Sequence, residues 1–164
     1  MKNVTTHFRN TGNSFLSHFY GSPKYKNVKL VHPSDAGYQA YYRAYILARK
    51  STRPVGYIAE QPSMLCRASK TVEHVVRYWH GSLPNRIIQY DVLYNGVYHR
   101  HYKECDIIRE ETDGSITIGE VKSSHTPSTG KATSQLQHSA EILSTVFPDV
   151  NTVAITVDMA SPNP

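Results

Sequence analysis

No stretch of the chain approaches the roughly 18 to 20 consecutive apolar residues that a membrane-crossing helix needs, so no membrane partner is expected. The N-terminal run MKNVTTHFRNTGNSFL has no apolar core of the signal-peptide kind, so no secretory leader is expected either. Cysteine is scarce: Cys66 and Cys105 stand far apart without CxxC spacing. That argues against a disulfide framework or a structural zinc site and favours a reducing, cytoplasmic compartment. Acidic residues are short as well, with 13 Asp and Glu against 18 Lys and Arg, a net charge of +5 before the nine His are counted. The isoelectric point near 9.2 suits a surface that meets polyanions. Charge alone does not separate a nucleic-acid binder from other basic proteins. Internal repeats, low-complexity tracts, a Walker-type glycine loop and a nucleophile-elbow serine are all missing.

What is present is one domain's length of chain, 164 residues, 39% apolar with a mean hydropathy of −0.47, as expected for a soluble globular α/β protein. Residues 1–68 read as an N-terminal extension with one helix, 69–157 as a core and 158–164 as a tail. Residues 1–32 are polar and Gly/Asn/Ser-rich, and only Val28 to Val31 has the makings of a strand. Ser34 or Asp35 after Pro33 is placed to cap a helix that ends near Lys50, with Ala40, Tyr41, Ala44, Tyr45, Leu47 and Ala48 at helical spacing. A second helix is expected from Ser69 to His80, with an apolar stripe of Val72, Val75, Val76 and Trp79 and a stop at Gly81. From Arg86 the period changes to a β pattern. Asn95-Gly96 provides the two left-handed positions of a type I′ hairpin, and a returning strand is expected from Val97 to Glu110. Thr112-Asp113-Gly114 turns into a third strand, Ser115 to Lys122. A helix over Thr133 to Thr145 and an apolar strand over Asn151 to Val157 complete an α-β-β-β-α-β order. The expected architecture is a mixed four-stranded sheet, a three-stranded meander plus a crossover strand, flanked by helices.

The meander holds the chemistry. Residues two apart on a strand face one side, so Glu120 and Lys122 project together, and the turn at Asp113-Gly114 folds Asp106 onto the neighbouring strand. Two carboxylates are oxygen ligands for hard cations such as Mg²⁺, which keep several waters. The carbonyl of Val121, between the two side chains, is a further candidate ligand. Beside such an ion an ammonium group neutralises developing charge or helps deprotonate an attacking water; which group is the base stays open. An E-x-K triplet arises by chance about once in every few proteins of this size. The alternative is that Glu120 and Lys122 are solvated strand residues and Asp106 an edge charge.

With D…ExK on the second and third strands of an α-β-β-β-α-β order, residues 69–157 resemble the PD-(D/E)xK, or restriction-endonuclease-like, nuclease superfamily. The run into Gly119-Glu120-Val121-Lys122 is also similar to transposon-end endonucleases, without fixing a branch. The resemblance implies that Asp106 and Glu120 bind Mg²⁺ or Mn²⁺ and that Lys122 assists the water. Many members carry an acidic residue on the helix before the sheet, which points to Glu73, the only acidic residue between Glu60 and Asp91. Members akin to the RecB nucleases place Gln and Tyr four apart on the following helix; Gln135 matches the first, whereas Ser139 stands at the second. Cys105 stands where the motif's proline would be, and Glu104-Cys105-Asp106 fits the E-x-D form of other branches.

The implied activity is metal-dependent phosphodiester hydrolysis by a DNA endonuclease, DNA being favoured over RNA. Cutting both strands would favour a homodimer or repeated visits, and a larger nucleoprotein complex is a further setting. Two rival readings remain: a catalytically silent nucleic-acid-binding module on the same fold, and a protein-interaction domain whose charge is incidental. Tyr20, Tyr25, Tyr38, Tyr41, Tyr42 and Tyr45 lie among basic residues and are candidates to stack bases, or are ordinary half-buried tyrosines. His99 and His101 share a strand face that strict alternation sets opposite Asp106, and are read as structural or DNA-facing. His125 follows Lys122 and reads as an exposed loop residue.

Overall fold

The structure, a computed structural model, describes residues 2–9, 21–52, 64–124 and 130–159. Its strands are β1 (Lys2–Arg9), β2 (Tyr25–Val31), β3 (Ile87–Tyr94), β4 (Val97–Glu104), β5 (Ile107–Glu110), β6 (Ile116–Ser124) and β7 (Asp149–Asp158). Its helices are α1 (Ala36–Ser51), α2 (Met64–Trp79) and α3 (Gly130–Leu143). One sheet runs β1-β7-β6-β5 and the other β2-β3-β4. The chain is therefore α/β with two small sheets. Among the described residues no helix is long and apolar enough to cross a membrane.

β7 sits between β1 and β6, so Val150, Val153, Ala154 and Ile155 are buried on both of its faces. That is why its sequence reads as a nearly continuous apolar run. β6 and β7 are parallel, which requires a crossover, and α3 supplies it. On one face Ile108, Ile116, Ile118, Val150 and Ala154 pack with Ala132, Leu136, Ala140 and Leu143 of α3; Tyr25, Ile88 and Tyr90 of the smaller sheet join this same core. On the other face Ile107, Val121, Val153 and Ile155 pack with Val72 and Val76 of α2. Full burial of one Ile or Leu is worth about 1.5–3 kcal/mol, so these two layers hold α2 and α3. By contrast α1 buries no residue. Its ties are the Asp35 cap on the Tyr38 N–H (3.0 Å), Gln39 Nε2 donating to the Pro33 carbonyl (2.7 Å), and rings of Tyr38 and Tyr41 lying on Tyr102 of β4.

Several expectations are corrected. Residues 2–9, read as irregular, form β1 and pair antiparallel with β7, and the short strand at 28–31 begins at Tyr25. α2 starts five residues earlier than Ser69, and α3 spans Gly130–Leu143 rather than Thr133 to Thr145. The strand expected from Val97 to Glu110 bends at Cys105 and Asp106. Its first half pairs with β3 and its second with β6, so the expected single sheet of meander plus crossover divides into two. The reason is visible in the burial pattern. Cys105 and Ile108 face the α3 core while Ile107 faces α2, and residues an odd number apart share a face only if the pleat slips between them. The bend also removes the basis for setting His99 and His101 opposite Asp106 on one strand, because they lie in the other sheet.

Gly119 of β6 lies tightly between Ile107 of β5 and Val153 of β7. A Cβ there would lie 3.0 Å from Ile107 Cβ and 3.2 Å from Val153 Cγ1, on both sides of β6. Gly119→Ala is expected to destabilise the protein by about 1–3 kcal/mol, since strand side chains would have to move apart. Urea unfolding measures it; an unchanged midpoint would refute the close approach.

Candidate active site

The bend sets the site. β5 begins at Ile107, opposite Gly119, so the strand edge of β6 beyond Gly119 has no β5 residue to pair with. Asp106 fills that place with its side chain: Oδ2 accepts the Val121 N–H at 2.7 Å. A strand residue turns its N–H and its carbonyl to the same edge, so the Val121 carbonyl is directed to the Asp106 side as well. Glu120, next along β6, is nearly buried, with 12% of its side chain exposed, and Lys122 Nζ donates to its Oε1 at 2.9 Å. The spacing of two along β6 is what lets these two side chains meet.

α2 reaches the same place from the other face. Arg77 Nε donates to the backbone carbonyl of Asp106 at 2.7 Å, and an Arg77 terminal nitrogen donates to Glu73 Oε1 at 2.7 Å. Glu73 is thus tied to the bend through Arg77, an i,i+4 pair along α2. Ser69 Oγ, in the second turn of α2, donates to the Ser123 carbonyl at 3.3 Å and ties the helix to β6. Arg77 and Lys103, whose ammonium acts on Glu120, are the two members of this neighbourhood to which the sequence reading gave no role. The Glu73–Arg77 spacing was a readable signal; the reach of Arg77 to Asp106 depends on the bend and was not.

Charge at the site is poorly compensated. Burial, then the Glu120 carboxylate, push the Asp106 carboxyl up to about 7, against the pull of the Val121 N–H. Burial likewise raises Glu120, opposed by Lys122, while Glu73 adds to both. Two half-buried carboxylates repel each other, and the Lys122 ammonium contacts only one of them, Glu120. The donor set suits a hard divalent cation: two carboxylates and a carbonyl offer only oxygen, and such an ion completes its shell with water. Among the described residues no three His, Cys, Asp or Glu side chains form a group that could hold a metal ion.

Gln135 is not brought to these side chains; it is exposed on α3. His125 lies outside the described residues. His99 is exposed, and His101 is half-buried against Tyr41 and Tyr90. Cys105 is fully buried, and burial pushes its thiol up to about 12, which leaves it a poor nucleophile. An open cavity of about 520 Å³ lies at the far end of the β5–β6 hairpin, between Arg109, Glu111 and Thr117. Its Glu111 is already bound by Arg109 and Thr117 at 2.7 and 2.8 Å, and it contains none of the groups above. Compared with protein-family models, with curated proteins and with solved structures, the chain matches none.

The raised Asp106 carboxyl has a consequence for stability. A folded pKa above the ordinary value means that the folded state binds the proton more tightly; the benefit is complete below the ordinary carboxylate range and is lost as pH rises through about 7. Metal-free protein is therefore expected to lose on the order of 2 kcal/mol between about pH 5 and about pH 8. Asp106→Asn should flatten that slope and be at least as stable as wild type at the alkaline end. Denaturant titrations across pH in EDTA measure this, and a wild type that gains stability over the same range would contradict it.

Proposed function

We propose that the protein is a divalent-metal-dependent nuclease that hydrolyses phosphodiester bonds, with DNA as the favoured substrate and endonucleolytic cleavage as the favoured mode. The observation that carries this reading is the half-buried Asp106–Glu120 carboxylate pair with Lys122 bonded to Glu120 at 2.9 Å. Counting β4 and β5 as one bent strand, the order α2, β3, β4–β5, β6, α3, β7 supports the reading, being the α-β-β-β-α-β order that the resemblance implies. The resemblance of the D…ExK arrangement to the PD-(D/E)xK superfamily supports the same reading. An intracellular, DNA-associated location and a homodimer for double-strand cleavage belong to it.

Asp106, Glu120 and the Val121 carbonyl would hold Mg²⁺ or Mn²⁺, which when bound supplies Lewis-acid stabilisation of the phosphoryl group and a more acidic water. The protein's own groups do the positioning. The Val121 N–H and Arg77 fix the Asp106 side chain and backbone, so its carboxylate needs little reorganisation. Lys122, held by Glu120, presents an ammonium that orients the attacking water and offsets negative charge developing on the phosphate. Glu73 adds negative potential at the pair and, through Arg77, steadies the bend.

Single-turnover cleavage of supercoiled, linear and branched DNA, with Mg²⁺, Mn²⁺ or EDTA, tests the proposal. Wild type should cut only with metal. Lys122→Met and Asp106→Asn should each lose about a hundredfold or more in rate, whereas Glu73→Gln should keep its fold and lose roughly tenfold. Cleavage in verified metal-free buffer, or an unimpaired Lys122→Met, would sink it. Salt-dependent DNA binding without any cleavage would instead favour the silent binding module.

A further inference from the structure

Beyond the carboxylate pair, positive charge gathers where α3 meets the smaller sheet. Lys103, on the edge strand β4, acts on Glu120 from one side and on the other places Nζ 3.3 Å from His138 Nδ1 of α3. Lys24, just before β2, lies over the Tyr25 ring at 5.1 Å and also acts on His138. The imidazole of His138 is set between Tyr25 and Tyr90, with centroids 6.4 Å from each, so it is held rather than free to swing. Burial first, then Lys103 and Lys24, lower its pKa, with Glu141 as the opposing carboxylate. Two ammonium groups and an imidazole, from the segment before β2, from β4 and from α3, thus meet on a face that remains reachable by solvent. Along α3, Lys131, Gln135 and His138 recur at i, i+4 and i+7, and all three are exposed. The two ammonium groups repel each other, whereas an anion in their midst would be stabilised by both and could accept a hydrogen bond from the imidazole.

We infer that Lys24, Lys103 and His138 form a phosphate-binding site that holds the nucleic-acid backbone next to the carboxylate centre, with Lys131 and Gln135 continuing the track along α3. The ligand is a phosphodiester of the substrate strand, an identity that rests on the nuclease reading. Lys103, close to both Glu120 and His138, sets the direction in which the strand leaves the carboxylates. Lys24 and Lys103 contribute charge. His138, neutral near physiological pH, donates one hydrogen bond, because a lone-pair nitrogen facing Lys103 leaves the other ring nitrogen protonated. Gln135, unconnected to the carboxylates, acquires a place on this track.

The test is fluorescence anisotropy of a short labelled DNA in EDTA near neutral pH, over a range of salt, for the full chain and three variants. Lys103→Met should weaken binding about five- to tenfold and reduce the slope of log affinity against log salt by roughly 0.7 to 0.9, one phosphate contact. His138→Gln should weaken binding about threefold with the slope unchanged, as for a neutral contact. Lys50→Met, in the last turn of α1, should change affinity less than about twofold. Metal-dependent cleavage is measured separately. Binding that depends on Lys103 in a protein that cuts nothing supports the phosphate site while removing the nuclease reading. Wild-type binding by Lys103→Met and His138→Gln, an equal loss in Lys50→Met, or no binding by wild type would each overturn the site, even in a protein that cleaves.

Discussion

The hydrogen bond from the Val121 N–H to the Asp106 carboxylate joins the architecture of this protein to its chemistry. A strand of fourteen residues could have continued along β6; instead the chain leaves the sheet just before Ile107 and a side chain takes over the edge. An orphaned strand N–H in a half-buried place costs on the order of 1–3 kcal/mol, so that position demands an acceptor. An ionised or neutral carboxyl supplies one. In doing so it is drawn out of water beside Glu120, which is why burial dominates the pKa of both. Hydrogen bonding that completes the sheet therefore also concentrates negative charge at one point.

The surrounding packing keeps that point in place. The α2 layer of Val72 and Val76 seats Arg77 on the Asp106 carbonyl, and the α3 layer closes over Ile116, Ile118 and Ala154 on the opposite face. Gly119 leaves room for Ile107 of β5 and Val153 of β7 on either side of β6. The smaller sheet shares the α3 core through Ile88 and Tyr90, so the two halves of the bent strand are anchored in one continuous apolar cluster. Elsewhere, polar contacts serve shape. Asp91 is held by Asn27 at 2.8 Å and by Arg100, and Arg86 pairs with Glu104, on which the Tyr38 hydroxyl also bonds.

Features set by local chemistry were legible in the sequence. Asn95 and Gly96 adopt φ of 48° and 76°, as the hairpin turn requires, Gly81 ends α2 at φ 61°, and Asp35 caps α1. The placement of Glu120 and Lys122 on one strand face followed from period two alone. Features set by distant partners were not legible. β1 is a polar segment whose strand state comes from pairing with β7 some 150 residues away, and nothing local announces it. The bend at Cys105 and Asp106 leaves no Gly or Pro signature, because it arises from a choice between two sheets rather than from backbone preference. For the same reason Arg77 and Lys103 could not be assigned to the site, since each reaches it only through that bend.

The central claim is that Asp106, Glu120 and the Val121 carbonyl form a cation site, and the most direct test is crystallographic. Crystals of the full chain soaked in Mn²⁺ should show an anomalous peak between the two carboxylates, with oxygen ligands at about 2.0–2.3 Å. The peak should vanish from crystals of Asp106→Asn. Fully ordered Asp106 and Glu120 side chains without that peak, in crystals that bind Mn²⁺ elsewhere, would contradict the account.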